Sequence, residues 1–168
     1  MRLTSILTTG VLCAAMLFPT TMPAFAGKAE SALLAKYAGS WRGTGKVTGP
    51  DPGTVVCRMT FKTQGEGKLS YTGRCSFGSN PAASFRGSMS YSDSKKRFEA
   101  SSSAQGVSNT AVGKRQGGGV VFTNSGMESS YGTASSTMAL TGGTIKMSFR
   151  LVDKDGEVTT SNITFKKG

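Results

Sequence analysis

Short runs of alternating apolar and polar residues cover most of the chain after residue 39, and they predict an all-β protein. Runs rich in Val, Thr, Phe and Tyr are separated by clusters of Gly, Ser, Asn and Asp, as in strands joined by tight turns. No helical segment separates the strands, so the pattern predicts a single antiparallel β-barrel of about 8–10 strands over 39–168, with a sandwich as the alternative. The candidate strands lie at approximately 40–48, 54–63, 68–77, 83–91, 96–104, 110–114, 118–124, 128–140, 144–152 and 157–166.

The segment before the first strand has a different pattern. Between Lys28 and Tyr37, the apolar residues Leu33, Leu34 and Tyr37 recur at helical spacing. Gly39 follows, and glycine commonly ends a helix. We therefore predict one short helix within residues 27–38.

Two strands, 54–63 and 68–77, can be aligned from their alternation alone. A hairpin folded around residues 65–67 sets Cys57 opposite Cys75 and Phe61 opposite Tyr71. Because side chains alternate with period two, this register collects the large apolar groups and both sulfurs on one face. The sequence therefore predicts a Cys57–Cys75 disulfide inside the barrel, with a structural role.

The opposite face of this hairpin carries arginines. Folding the next strand around Asn80 sets Cys75 opposite Phe85 and places Arg58, Arg74 and Arg86 side by side on three neighbouring strands. Arginine forks hold phosphate or carboxylate with two hydrogen bonds, so this row is a candidate anion-binding strip. The alternative is an ordinary solvated surface.

The first 26 residues have the organisation of a signal peptide. Arg2 supplies the early charge, an apolar stretch runs from Ile6 to Phe18, and residues 24–26 form an A-x-A cleavage signal. The apolar stretch is shorter than the ~20 residues that span a bilayer, which disfavours an uncleaved anchor. We expect cleavage after Ala26 and a periplasmic or secreted protein without a transmembrane segment, so Cys13 is lost with the signal. An oxidising compartment also suits the disulfide.

The expected mature protein is strongly basic. Residues 27–168 contain 19 Lys and Arg residues against 9 Asp and Glu residues. An excess of this size attracts polyanions, and for an exported protein the expected partners are anionic components of the cell envelope rather than nucleic acid. The same charge also serves solubility, and that is the alternative interpretation.

The residue inventory disfavours an enzyme. The chain has no histidine, which removes the usual general base and the commonest metal ligand. Both mature cysteines are used by the expected disulfide, so no thiolate nucleophile or zinc cluster is expected. Glu99 and Glu128 could form a glycosidase-type carboxylate pair, but nothing in the sequence supports one, and the acidic run 153–157 fits a tight turn better than a calcium loop. We expect no catalytic residue, no metal and no cofactor.

The segment Gly39–Gly43, with the sequence GSWRG, resembles the Gly-x-Trp opening of lipocalin-like and avidin-like small barrels. That resemblance implies that Trp41 closes one end of the core. Lipocalins also carry a late arginine that packs on this tryptophan, whereas the last strand here offers only Lys166 and Lys167.

Trp41 together with Cys57 and Cys75 is also similar to bacterial periplasmic inhibitors of secreted metalloproteases. In those inhibitors the segment before the barrel enters the protease cleft, and the matching stretch here is Gly27 to Ala38. A further similarity is to short exported alphaproteobacterial proteins with a Trp-x-Gly-x-Gly start and a Val-x-Cys-Arg strand; it implies no function.

Three functional hypotheses follow. The first is a non-enzymatic exported binding protein for an envelope polyanion or a small amphipathic ligand. The second is an inhibitor of an exported protease, and the third is a structural envelope protein with no ligand.

Overall fold

The computed structural model describes residues 26–65, 67–78, 82–104 and 106–168. They form one α-helix and ten antiparallel strands that close into a barrel, which confirms the predicted fold class. Each strand pairs with its neighbours in sequence, and β1 pairs with β10 to complete the ring. The elements are α1 (Ala26–Ala35), β1 (Gly39–Thr48), β2 (Gly53–Thr63), β3 (Lys68–Phe77), β4 (Ala83–Ser92), β5 (Arg97–Ala104), β6 (Val107–Gln116), β7 (Gly119–Ser129), β8 (Gly132–Thr141), β9 (Thr144–Asp153) and β10 (Val158–Lys167).

Helix α1 closes one end of the barrel. Leu33, Leu34 and Tyr37 are buried against the core, and the helix packs on β3 and β4. Trp41, at the start of β1, is 1% exposed, and its indole Nε1 donates a hydrogen bond of 2.8 Å to the carbonyl oxygen of Tyr37. This bond and the apolar contacts hold the helix over the barrel end. Residues 1–25 and the side chain of Ala26 lie outside the part of the chain that the structure describes. The predicted signal peptide falls in this region.

The core fills the barrel by placing aromatic rings over glycines. A Cβ atom built on Gly73 would lie 2.2 Å from Cζ of Phe85, and one built on Gly113 would lie 2.7 Å from the Phe122 ring. Only glycine leaves room for the ring at such positions, so aromatic side chains and glycines together achieve close packing. The largest fully buried side chains are Trp41, Phe61, Phe165, Leu34, Met59, Leu69, Met89, Leu140, Ile145, Val55, Val120 and Cys57.

The predicted hairpin of β2 and β3 is confirmed. Cys57 pairs with Cys75 and Phe61 pairs with Tyr71, as the alternation requires. The disulfide joins Cys57 to Cys75 inside the barrel, across a sequence separation of 18 residues.

The predicted register of β3 and β4 is wrong by two residues. Cys75 lies opposite Ala83 rather than Phe85, and Gly73 lies opposite Phe85. The physical reason is packing: in the observed register the ring of Phe85 covers Gly73 and the ring of Tyr71 covers Gly87. The predicted register would have set two glycines opposite each other and left a void.

Within the part of the chain that the structure describes, α1 is the only helix, and no helix is long and apolar enough to cross a membrane.

Candidate functional site

Four cationic side chains lie opposite one another on the outer face of four neighbouring strands. Arg58 on β2 pairs with Arg74 on β3 and with Arg42 on β1, and Arg42 pairs in turn with Lys166 on β10. All four side chains are exposed. We call Lys166, Arg42, Arg58 and Arg74 the cation row.

The strands that carry the cation row contain no carboxylate side chain. Strands β10, β1, β2, β3 and β4 are fully described and contain no Asp or Glu. Among the described residues no carboxylate forms an ion pair with any member of the row, whereas elsewhere Arg97 and Lys95 contact Glu99 at 2.7 and 3.0 Å and Arg115 contacts Glu30. Like charges directly opposite each other destabilise a sheet. We therefore expect the row to carry a positive potential and to lower the stability of the sheet.

Arg86 lies beside the cation row and not within it. The shift in register sets Arg86 opposite Thr72, while Ser84 faces Arg74. Arg86 is thus the diagonal neighbour of Arg74, a relation that places Cα atoms ~7–8 Å apart. The structure therefore brings Arg58 and Arg74 together as predicted and displaces Arg86 by two residues along β4.

Arg86 borders a depression of about 560 Å³ on the outer face of β3 to β6. The floor of the depression consists of residues 71, 87, 102 and 109. These residues pair with one another in turn across the four strands, and the side chain of residue 71 points inward. Two rims of outward side chains flank this floor. We call this depression the hydroxyl groove; one rim is Thr72, Arg86, Ser103 and Ser108, and the other is Ser70, Ser88, Ser101 and Thr110.

Tyr71 connects the groove floor to the core. Its hydroxyl donates a hydrogen bond of 3.4 Å to the carbonyl oxygen of Ser101. Burial raises the pKa of Tyr71 above its ordinary value, and a hydrogen bond with Ser102 opposes that shift. Tyr71 is therefore held as the neutral phenol and contributes no negative charge beneath the groove.

The barrel end opposite α1 is lined by exposed apolar groups. Phe149 lies on the inward face of β9, opposite Ser161 of β10 and Ser136 of β8, yet it is 38% exposed. Val107, at the start of β6 at the same end, is 39% exposed. An inward-facing ring that contacts solvent indicates that this end of the barrel is open to solvent. Apolar side chains and hydroxyl groups lie next to each other there.

The surroundings of Trp41 indicate a structural role. Its indole is buried beneath α1, with the Tyr37 ring centroid 6.0 Å away. The ammonium Nζ of Lys167 lies 5.9 Å from the indole centroid, within the range of a cation–π interaction. Lys167 thus packs its charged end on the buried tryptophan from the end of the last strand.

The acidic residues considered as candidate catalytic groups are separated. Glu99 lies on β5 and Glu128 on β7, with β6 between them in the barrel. Hydrogen bonds from Arg97 and Lys95 lower the pKa of Glu99, and Glu128 accepts a hydrogen bond from Thr133 at 2.8 Å. Across the described ranges, no three His, Cys, Asp or Glu residues cluster so as to hold a metal ion.

The acidic run between β9 and β10 forms a tight turn. Asp153 Oδ1 accepts hydrogen bonds from the backbone amides of Asp155 and Glu157, at 3.0 and 2.8 Å. A carboxylate used in this way stabilises the turn.

Comparison with known proteins identifies the fold and no family. No protein-family model matches the sequence, and no curated protein has a similar enough sequence to match. Rv2717c from M. tuberculosis is similar in structure, with a TM-score of 0.61 and 14% identity over 80% of this chain and 94% of that one. The S-type phycobiliprotein lyase CPES from Guillardia theta has a TM-score of 0.59 and 11% identity over 84% and 97% of the two chains. At these identities the likeness establishes a shared lipocalin-like barrel and nothing about activity.

Two members of the cation row, Arg42 and Lys166, are not among the residues predicted from the sequence to bind an anion. Both could have been found from alternation, because Trp41 and Phe165 are inward and their neighbours must point outward. Their alignment with Arg58, however, depends on how β1 meets β2 and β10, which no local pattern specifies.

Proposed function

We propose that this protein is a non-enzymatic binding protein that holds a polyanion on the cation row. The observation that carries the proposal is the direct alignment of Lys166, Arg42, Arg58 and Arg74 across four strands that contain no carboxylate. Repulsion within the row opposes folding, and a bound anion with several charges relieves it. A polymer supplies such charges at successive positions, as the row requires.

Binding of this kind depends on salt. The row is exposed, so its field is screened beyond the Debye length of ~10 Å at 0.1 M ionic strength. Arginine supports the interaction with two hydrogen bonds to each carboxylate, phosphate or sulfate group, which are stronger than neutral hydrogen bonds. We therefore expect strong retention on an anionic polymer at low salt and release as salt rises.

The test is chromatography on immobilised heparin with two variants of equal net charge. The first variant carries Arg42→Ser, Arg58→Ser and Arg74→Ser in the cation row. The second, the control, replaces three exposed cations on other parts of the surface and carries Lys114→Ser, Arg150→Ser and Lys154→Ser.

We expect the wild-type protein and the control variant to elute at similar salt concentrations, and the cation-row variant to elute near the void volume. Equal elution of the two variants would show that net charge alone governs retention. The cation row would then have no binding role, and the alternative of a structural envelope protein would be favoured.

A second candidate function is binding of a small amphipathic molecule at the barrel end opposite α1. It is supported by the exposed inward ring of Phe149 between Ser136 and Ser161. An uncharged environment-sensitive dye is the suitable probe, because it does not respond to the cation row. We expect Phe149→Ser to abolish dye fluorescence and Val56→Ser, an exposed apolar position on the outer face, to preserve it; equal loss or equal retention rejects this site.

The protease-inhibitor alternative receives less support from the structure. The segment that would enter a protease cleft is Gly27 to Ala38, and it packs against the barrel. Leu33 and Leu34 are 4% and 1% exposed, and Glu30 is bound to Arg115. Insertion into a cleft would require these contacts to break.

A further inference from the structure

The hydroxyl groove has a composition that differs from the cation row. Its two rims present seven hydroxyl groups and one guanidinium group, that of Arg86. A hydroxyl both donates and accepts hydrogen bonds, which is also true of the hydroxyls of a sugar. Among the described residues the hydroxyls of Thr72, Ser103 and Thr110 make no hydrogen bond with the protein. These groups are available to a ligand that carries hydroxyls itself.

The groove and the cation row form one continuous surface. Thr72 on the groove rim lies two residues from Arg74 on β3, and Arg86 is the diagonal neighbour of Arg74. Both features run across the strands, and they are offset by two residues along β3 and β4, so an extended ligand that follows the row to Arg74 can continue past Thr72 and Arg86 into the groove. Such a ligand meets charged groups first and hydroxyl groups next.

Other classes of polyanion fit this combined surface less well. Proteins that bind single-stranded nucleic acid stack its bases on aromatic side chains, and membrane-binding faces insert apolar side chains into the bilayer. Neither the cation row nor the groove rims contain an aromatic or aliphatic side chain. A planar bilayer surface would also leave the recessed floor of the groove unfilled.

We infer that the polyanion is an acidic polysaccharide, whose charged groups lie on the cation row while a sugar ring occupies the hydroxyl groove beside Arg86. This inference rests on the proposed function, since it assigns the chemical class of the polymer that the row would hold. The row supplies charge attraction, and the groove distinguishes a hydroxylated polymer from one that carries charge alone.

The experiment compares two soluble polyanions by calorimetry: polygalacturonate, which has hydroxyls, and polyphosphate, which has none. The groove variant retains every cation and carries Thr72→Val, Ser101→Ala, Ser103→Ala and Thr110→Val. Its matched control makes the same chemical changes on the outer face of β7 to β9, with Thr123→Val, Thr137→Val, Ser135→Ala and Ser148→Ala. The cation-row variant described above is measured beside them.

We expect the groove variant to lose about tenfold or more in affinity for polygalacturonate, from four removed hydroxyls, while its affinity for polyphosphate is unchanged. The control should bind both polymers as the wild type does, and the cation-row variant should bind neither. If the groove variant retains full affinity for polygalacturonate, the inference is wrong and the proposed function stands. If the cation-row variant binds both polymers normally, the proposed function itself fails.

Direct competition gives an independent outcome. Polygalacturonate should displace the wild-type protein from heparin at a lower concentration of negative charge than polyphosphate, single-stranded DNA or vesicles of anionic phospholipid require. Stronger displacement by DNA or by vesicles would assign the surface to a different class of ligand and overturn the inference.

Discussion

Replacing Arg58 should make the protein more stable, because this residue stands between two like charges. Arg42 and Arg74 lie directly opposite it on the two neighbouring strands. A like-charge contact between opposite residues costs on the order of 0.2–1 kcal/mol. Removing both contacts with Arg58→Thr should therefore raise the free energy of unfolding by about 0.4–2 kcal/mol at low salt, or Tm by roughly 1–8 °C.

Arg150 provides the control for this substitution. It is also an exposed arginine on the outer face, but its opposite residues on β10 and β8 are the neutral Thr160 and Ser135. Arg150→Thr makes the same change in side chain, charge and strand propensity without relieving repulsion. We expect its effect to fall within ~0.5 kcal/mol of zero, as for most surface substitutions.

The assay is thermal denaturation followed by circular dichroism, at low and at high salt. The Debye length falls from ~30 Å at 0.01 M to ~3 Å at 1 M, so the advantage of Arg58→Thr over Arg150→Thr should largely disappear at the higher concentration. If the two variants have the same Tm at low salt, the cation row carries no strain. If the difference persists at 1 M salt, its origin is packing rather than charge.

Three other predictions concern the core. Replacing Cys57 and Cys75 together by Ala should lower the free energy of unfolding by about 3 kcal/mol, and reductant should destabilise the wild type alone. Gly73→Val should lower the free energy of unfolding, measured by chemical denaturation, by at least ~1–3 kcal/mol, because a Cβ atom at residue 73 would lie 2.2 Å from the Phe85 ring. Gly53→Val should be close to neutral, since a Cβ atom there has no other atom within 4 Å. Burial raises the pKa of Tyr71, so ionisation of its phenol opposes folding. The free energy of unfolding should therefore be unaffected by this group below pH ~10 and should fall above it. Tyr71→Phe should remove that part of the fall.

The sequence predicted the fold class and one hairpin because two independent signals agreed there. In β2 and β3, alternation assigned the faces, and the pairing of Cys57 with Cys75 fixed the register. In β3 and β4, alternation alone leaves any slip of two residues undecided, since such a slip keeps every side chain on its own face. The contact of Phe85 with Gly73 decides the register, and a pattern of apolar and polar residues does not contain it.

The cation row illustrates a different limit. Alternation places Arg42 and Lys166 on the outer face, but their alignment arises only when β1 pairs with both β2 and β10. The bounds of β6 show a related limit, because the pattern predicts a strand at 110–114 whereas β6 spans Val107–Gln116. The inward positions of β6 include small residues such as Gly113, which gains its role from Phe98 and from the ring of Phe122 that packs on it.

The pairing of β1 with β10 joins the two ends of the strand sequence in a single seam. Contacts between residues so distant along the chain are expected to form late in folding, because they require closure of a long loop, which costs conformational entropy. Until the seam forms, β1 and β10 each leave a row of backbone amides and carbonyls without partners, and such edges recruit strands from other molecules. Aggregation or exchange of strands between copies should therefore begin at this seam, and substitutions that slow its formation should increase it even when the native protein is as stable as before.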